Sequence, residues 1–254
     1  MKAMRLAFTF LTVFPMGKIN AAASDWCRAA VFFPLVGGTL GALLAAGAAL
    51  VSDVAPPPLI AALALAAMFL LTRGLHTDGL SDSADGLMGG LDRRRSLQIM
   101  RSGTAGPMGV AAVVLVFLIK YAALISLPGR LPAALFFTPL SGRWSMVLAG
   151  ALFKPARREG LGSAFISGLG PRHFLLATLV GCAPAYLGSY FLGSILPALT
   201  GGLAAFAAGA AAAQTAARRL GGLTGDTLGA VNEIAETVFL VAFVLSGAVF
   251  PAAP

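Results

Sequence analysis

From Ala30 onward the chain is a succession of apolar stretches, several approaching or exceeding 18 residues, and this feature most narrows what it can fold into. A helix of that length matches the ~30 Å hydrocarbon layer of a bilayer rather than the width of a soluble core. Charge points the same way. Asp, Glu, Lys and Arg make up 11% of the residues, against about 25% in a soluble domain, whose surface must be wetted. No polar segment is long enough to fold by itself, so residues 1–254 read as one integral membrane domain. Period-two alternation never persists for the length of a barrel strand, which leaves an all-α polytopic bundle. Cys27 and Cys182 neither suggest a disulfide framework nor match a zinc spacing.

The expected spans are Ala30–Val51, Pro57–Thr72, Gly106–Ile125, Leu131–Leu152, Phe174–Leu196, Leu199–Ala217 and Thr237–Phe250. That makes about seven transmembrane helices (six to eight), the last beginning earlier as a helix that rises from the membrane face. Pro34, Pro139 and Pro184 fall inside spans, where neighbouring helices can satisfy the freed carbonyls. The Gly and Ala of the sixth span point to close helix packing. At the start, Lys2 and Arg5 precede the apolar run Leu6–Phe14, and Ala21–Ala23 resembles a cleavage site. Thr9, Thr12 and the break Pro15-Met16-Gly17-Lys18 favour an amphipathic interfacial segment over a signal peptide.

Basic residues orient the bundle. With the N-terminus inside, 15 of the 18 Lys and Arg lie on the cytoplasmic side, Arg130 lies outside, and Lys120 and Arg143 lie within spans. The expectation is a multi-pass protein of the bacterial cytoplasmic (inner) membrane, with its C-terminus outside and both long polar loops inside. The net charge of +8 then reflects topology, with no nucleic acid as partner.

Six of the ten acidic residues sit in two short segments assigned to the same face: Asp78, Asp82 and Asp85, then Asp226, Glu233 and Glu236. The first three stand at i, i+4 and i+7 and the others at i, i+7 and i+10, each one stripe of a helix. Like charges at i, i+4 repel by a few tenths of a kcal/mol unless a cation sits among them. Carboxylates shared with substrate phosphates are how proteins hold Mg²⁺. Gly79, Gly86, Gly225 and Gly229 would let a ligand or another helix approach. Asp78 or Asp226 alone would also serve as a helix N-cap.

These segments resemble the adenosylcobinamide-GDP ribazoletransferase (cobalamin synthase) family. The resemblance rests on Leu75-His-Thr-Asp-Gly-Leu-Ser-Asp-Ser-Ala-Asp-Gly-Leu87, Phe10-Leu-Thr-Val-Phe-Pro15, Arg143-Trp144 and Gly225-Asp-Thr-Leu-Gly-Ala-Val-Asn-Glu233. Ser102 and Thr104 depart from it, standing where relatives carry an acid and a base. The resemblance implies a Mg²⁺-dependent transferase that joins α-ribazole, or its 5′-phosphate, to adenosylcobinamide-GDP and releases GMP. By the same token Asp78, Asp82, Asp85, Asp226, Glu233 and Glu236 are the candidate metal ligands. Asp82, Asp85, His76 and Glu233 are candidate catalytic groups, and Arg143, Arg101, Asn232 and Lys120 candidate contacts to substrate phosphate. A homo-oligomer is left open.

Arg143, near mid-span, costs at least about 2.5–3.5 kcal/mol as a lone charge and is expected to face a diphosphate oxygen or a cluster carboxylate. Lys120 can snorkel towards the outer surface. His173 is expected to be inert, Asp25, Asp53 and Asp92 solvated, and Arg93–Arg95 to hold their loop inside. Two rivals remain. A phosphotransferase acting on CDP-activated alcohols would place its second acids close behind the first. A secondary transporter would show an internal repeat and midplane charges.

Overall fold

A computed structural model describes residues 1–89, 92–127, 129–157 and 160–249. The regular structure among them is all helix: α1 (Lys2–Leu11), α2 (Ala23–Ala30), α3 (Phe33–Val51), α4 (Pro57–Leu71), α5 (Leu75–Met88), α6 (Arg93–Ile99), α7 (Pro107–Ile125), α8 (Leu131–Leu152), α9 (Leu161–Ile166), α10 (Pro171–Leu192), α11 (Ile195–Leu220) and α12 (Gly225–Val249). The seven expected spans correspond to α3, α4, α7, α8, α10, α11 and α12. The last starts at Gly225, well before Thr237, and its expected end at Phe250 lies outside the described residues.

Five helices (α3, α7, α10, α11 and α12) are long and apolar enough to cross a bilayer, and the bent pair α4 and α5 makes a sixth if taken together. A count of seven is therefore approximate, and it turns on α8. This helix has 22 residues, but Thr138, Ser141, Arg143 and Ser145 lower its apolarity, and all four are buried. It runs through the centre of the bundle, packed on α3, α10, α11 and α12, so it meets protein where the outer helices meet lipid. Leu63, Leu115, Leu118, Leu179 and Leu203 are exposed on those outer helices.

Small residues make the close contacts, as they must where lipid supplies no hydrophobic drive between helices. A Cβ on Gly37 or Gly41 of α3 would collide with the α8 backbone at Pro139 or Phe136. On α11 the buried stripe is Gly201, Ala205, Gly209, Ala213 and Ala216. The N-terminal segment is a helix with Leu6, Ala7 and Leu11 buried in the bundle. Asp25, expected to be solvated, pairs with Lys2 at 2.6 Å and ties α2 to α1.

Candidate active site

The chain turns by 87° between α4 and α5. Two consecutive left-handed residues make the corner, Arg73 (φ 56°) and Gly74 (φ 63°). Arg73 is held there by the Thr9 and Phe10 carbonyls, which accept from Nη2 at 3.0 and 3.1 Å. The turn carries the polar helix α5 out of line with α4, across the end of the bundle, so that its acids need not enter lipid.

There α5 crosses the start of α12 with backbones in contact. A Cβ on Gly79 would lie 2.7 Å from the Asp226 carbonyl oxygen, and one on Gly229 would lie 3.1 Å from that of His76. The α12 N-terminus is closed by a reciprocal cap. The Thr224 hydroxyl accepts from the Thr227 amide at 3.1 Å, and the Thr227 hydroxyl accepts from the Thr224 amide at 2.8 Å. Asp226 is thereby released from the capping role its sequence position allows.

The crossing gathers Asp78, Asp82 and Asp226. Burial, then the charges of Asp78, Asp226 and Asp85, push the Asp82 carboxyl up to about 6, with Arg157 opposing. Arg157 is a residue that motif reading missed. It follows α8 in a loop fixed by backbone pairing to Leu223, through Ala156 N to Leu223 O at 2.7 Å and Leu223 N to Lys154 O at 2.9 Å. Its guanidinium lies 4.0 Å from Asp226. No local pattern marks Arg157; only the basic stretch Lys154–Arg158 hints at it. A cavity of about 290 Å³ opens beside the crossing, with His76, Asp78, Arg157 and Asp226 among the residues that line it.

Asp85 is placed differently. Its two oxygens accept from the Gly106 and Gly109 amides at 2.7 and 2.8 Å, so it caps α7. Arg101 is exposed and does not line the cavity. Asp92, expected to be solvated, caps α6 through the Arg95 amide. Arg93 donates to the carbonyls of Leu220 and Ala156, tying α6 to the end of α11.

The other acids lie deeper. Glu233 and Glu236 stand seven and ten residues along α12 from Asp226, roughly 10 and 15 Å at 1.5 Å per residue. Lys120 of α7 reaches both, at 2.7 and 2.6 Å, and so points inward rather than snorkelling. Arg143 pairs with Glu236, which also accepts from Asn232 Nδ2 at 3.0 Å. Two cations and two anions thus neutralise each other in the interior, and the Arg143 charge meets a carboxylate as its depth demands. Lys120, Arg143 and Asn232, expected at substrate phosphate, thus face carboxylates of the protein. The space among these groups is about 30 Å³, room for one water and not for a phosphoryl group. Glu233 and Glu236 are likewise engaged with cations of the protein, apart from the Asp78–Asp82–Asp226 group.

His76 joins the two layers. Its Nδ1 lies 3.2 Å from Arg143 Nη2, and its Nε2 has no partner among the described residues although the ring is 2% exposed. A guanidinium has no acceptor, so Nδ1 accepts and Nε2 carries the proton. The ring therefore holds a buried donor, Nε2, that has no acceptor among the described residues.

Among the described residues, no three His, Cys, Asp or Glu side chains are arranged to hold a metal ion unaided. Mg²⁺ asks for less, one or two carboxylates with waters and phosphate oxygens completing its shell. Asp78, Asp82 and Asp226 fit that demand, because the repulsion that Asp78 and Asp226 exert on Asp82 is opposed by Arg157 and leaves room for a further cation.

A family model described as cobalamin-5-phosphate synthase matches residues 3–244. Curated relatives named adenosylcobinamide-GDP ribazoletransferase match almost end to end. One from Acetivibrio thermocellus is 36% identical over 252 residues, covering 96% of this chain and 98% of its own. One from Geotalea daltonii is 35% identical over 246 residues (96% and 98%). Another from Stutzerimonas stutzeri is 40% identical over 247 residues (94% and 96%). No solved structure matches.

Proposed function

The chain belongs to the cobalamin-5-phosphate synthase family, and from that premise we propose that it joins α-ribazole, or its 5′-phosphate, to adenosylcobinamide-GDP with release of GMP. The observation that carries this reading is the crossing of α5 on α12, which sets Asp78, Asp226, Arg157 and His76 around one cavity. A ribose hydroxyl oxygen forms a bond to the phosphorus next to the corrinoid. The bond from that phosphorus to the bridging oxygen breaks, GMP leaves with the electron pair, and the hydroxyl proton passes to Asp78 or Asp226. Such a transfer asks its protein mainly for positioning and for charge matched to the phosphates.

Each residue has a part in this scheme. Arg157, anchored by Nη2 on the Leu97 carbonyl at 2.9 Å and only 4.0 Å from Asp226, supplies positive charge to the phosphates. His76 donates from Nε2 to a phosphoryl oxygen, held in that tautomer by Arg143. Of Asp78, Asp82 and Asp226, the two that do not take the proton would hold Mg²⁺, which would supply charge neutralisation at the diphosphate. The excess of basic residues in the loops supports a cytoplasmic face for this site, where nucleotides are found.

The test is GMP release from adenosylcobinamide-GDP by the protein in nanodiscs. Release should require both α-ribazole and Mg²⁺, and Asp82→Asn should lower it at least about 100-fold, the scale of losing an electrostatic contributor to the reaction. Transport of the corrinoid without GMP release would overturn the enzyme reading in favour of a transporter.

A further inference from the structure

The interior carboxylate Glu236 is shared between two cations. Its Oε2 accepts from Lys120 Nζ at 2.6 Å. Its Oε1 accepts from Arg143 Nη1 and, at 3.0 Å, from Asn232 Nδ2. Arg143 is therefore paired through one arm. A guanidinium facing a carboxylate frequently engages both oxygens with two parallel N–H donors, the stronger arrangement. Here Lys120 already occupies the second oxygen, and the other arm of Arg143 turns elsewhere. Its Nη2 lies 3.2 Å from His76 Nδ1 and 3.9 Å from the Met68 sulfur, and its Nε has no partner among the described residues. Lys120 is itself held in place, because Glu233 accepts from it at 2.7 Å. Lys120, Arg143, Glu236 and His76 are all buried, so bulk water cannot stand in for a missing partner.

We propose that Lys120 is a positioning residue for His76. By holding Glu236 Oε2 it denies Arg143 the two-pronged pairing, and so leaves Nη2 to fix the imidazole with Nδ1 as acceptor and the proton on Nε2. The inference rests on the ribazoletransferase reading, in which that proton is the one offered to a phosphoryl oxygen. Lys120 touches no substrate in this scheme and acts through Glu236 and Arg143. Relative strengths favour it. A hydrogen bond with charge on both partners outweighs one to a neutral acceptor, so a free Oε2 would draw Nη2 away from His76. The simpler account is that the four charges only cancel, as burial requires. Cancellation would be met by two separate pairs, Lys120 on Glu233 and Arg143 on Glu236. It does not ask that Glu236 be shared between Lys120 and Arg143, and the sharing is what turns the second arm of Arg143 onto His76.

Lys120→Met alone strands a carboxylate, so the test uses Lys120→Met/Glu233→Gln, which removes one cation and one anion together and frees Glu236 Oε2. His76 and His173 are the two histidines of the chain, so His173→Asn leaves His76 as the single one for labelling with ¹⁵N. In nanodiscs, without substrate or Mg²⁺, nitrogen NMR of that background should show one tautomer, protonated on Nε2, with Nδ1 as a hydrogen-bonded acceptor. In the double variant the Nδ1 signal should move towards that of an imidazole nitrogen without a donor, and the second tautomer should appear. The same variant should lower kcat for GMP release by about 10- to 100-fold while both KM values stay within about twofold, the pattern of a group misplaced in the transition state. An unchanged Nδ1 signal in the double variant would overturn the proposal and leave the network as charge balance alone. So would a background spectrum with the proton on Nδ1, or a displaced Nδ1 signal with kcat unaltered. A displaced Nδ1 signal in a protein whose parent never releases GMP would instead sink the ribazoletransferase reading and leave the hold of Lys120 on His76 standing.

Discussion

Replacing Lys120 by methionine shortens the unbranched side chain by one atom and removes its charge. In the parent protein Lys120 and Arg143 face Glu233 and Glu236, all four at most 6% exposed. The variant leaves two carboxylates on one guanidinium, and two costs compete. Hydrogen bonds between membrane helices are worth about 0.6 kcal/mol each, so the two that Lys120 donates account for about 1 kcal/mol. Stranding a buried charge costs about 3–5 kcal/mol and dominates. The double variant Lys120→Met/Glu233→Gln separates the two, because Lys120 is the cation on Glu233 while Arg143, Asn232 and Glu236 keep their own contacts. The single variant should therefore lose about 3–5 kcal/mol, and the double should recover to within about 1–2 kcal/mol of the parent. Reversible unfolding in mixed micelles, followed by tryptophan fluorescence, measures both. A double variant no more stable than the single would refute the charge-balance argument, and a single variant as stable as the parent would remove the network from the stability of the fold.

Three further outcomes are expected. Gly79→Ala puts a Cβ 2.7 Å from the Asp226 carbonyl oxygen and should part α5 from α12, cutting GMP release at least about 10-fold; Gly47→Ala, with open space around it, is the control and should leave release unchanged. Asp85→Ala strips the cap from α7 and should cost about 1 kcal/mol in the same unfolding assay, whereas Asp82→Asn should cost nothing there. The Asp82 carboxyl, raised to about 6 from 3.8, holds its proton more tightly in the folded state, so stability in chelator should fall as pH rises from 3.8 towards 6. Asp82→Asn should flatten that slope, and a slope unchanged in the variant would assign it to another group.

The sequence was enough to establish a helical membrane bundle, because the length of an apolar run and the scarcity of charge are properties of a segment and need no partner. The spans were placed to within a few residues at most ends. The break between α10 and α11 falls at Gly193–Ser194 rather than after Leu196, since a left-handed glycine, and not hydropathy, ends the helix. The two acidic stripes are likewise legible as candidates, and so is the need of Arg143 for a polar partner, a diphosphate oxygen or a carboxylate. What spacing could not give was the division of the acids. Asp226 and Glu233 lie on one stripe of one helix, yet Asp226 opens onto the cavity beside Arg157 while Glu233 is paired with Lys120. Asp82 and Asp85 are one turn apart on α5, yet Asp85 is consumed as the cap of α7. Arg157 enters the site through a backbone pairing between residues 154–156 and 223, which no local pattern announces. The reason is physical. The cost of a charge in a membrane depends on what surrounds it, and for these residues the surroundings come from helices distant in the chain. Sequence therefore decided that the charges must find partners, and only the packing of α5, α7 and α8 on α12 decided which.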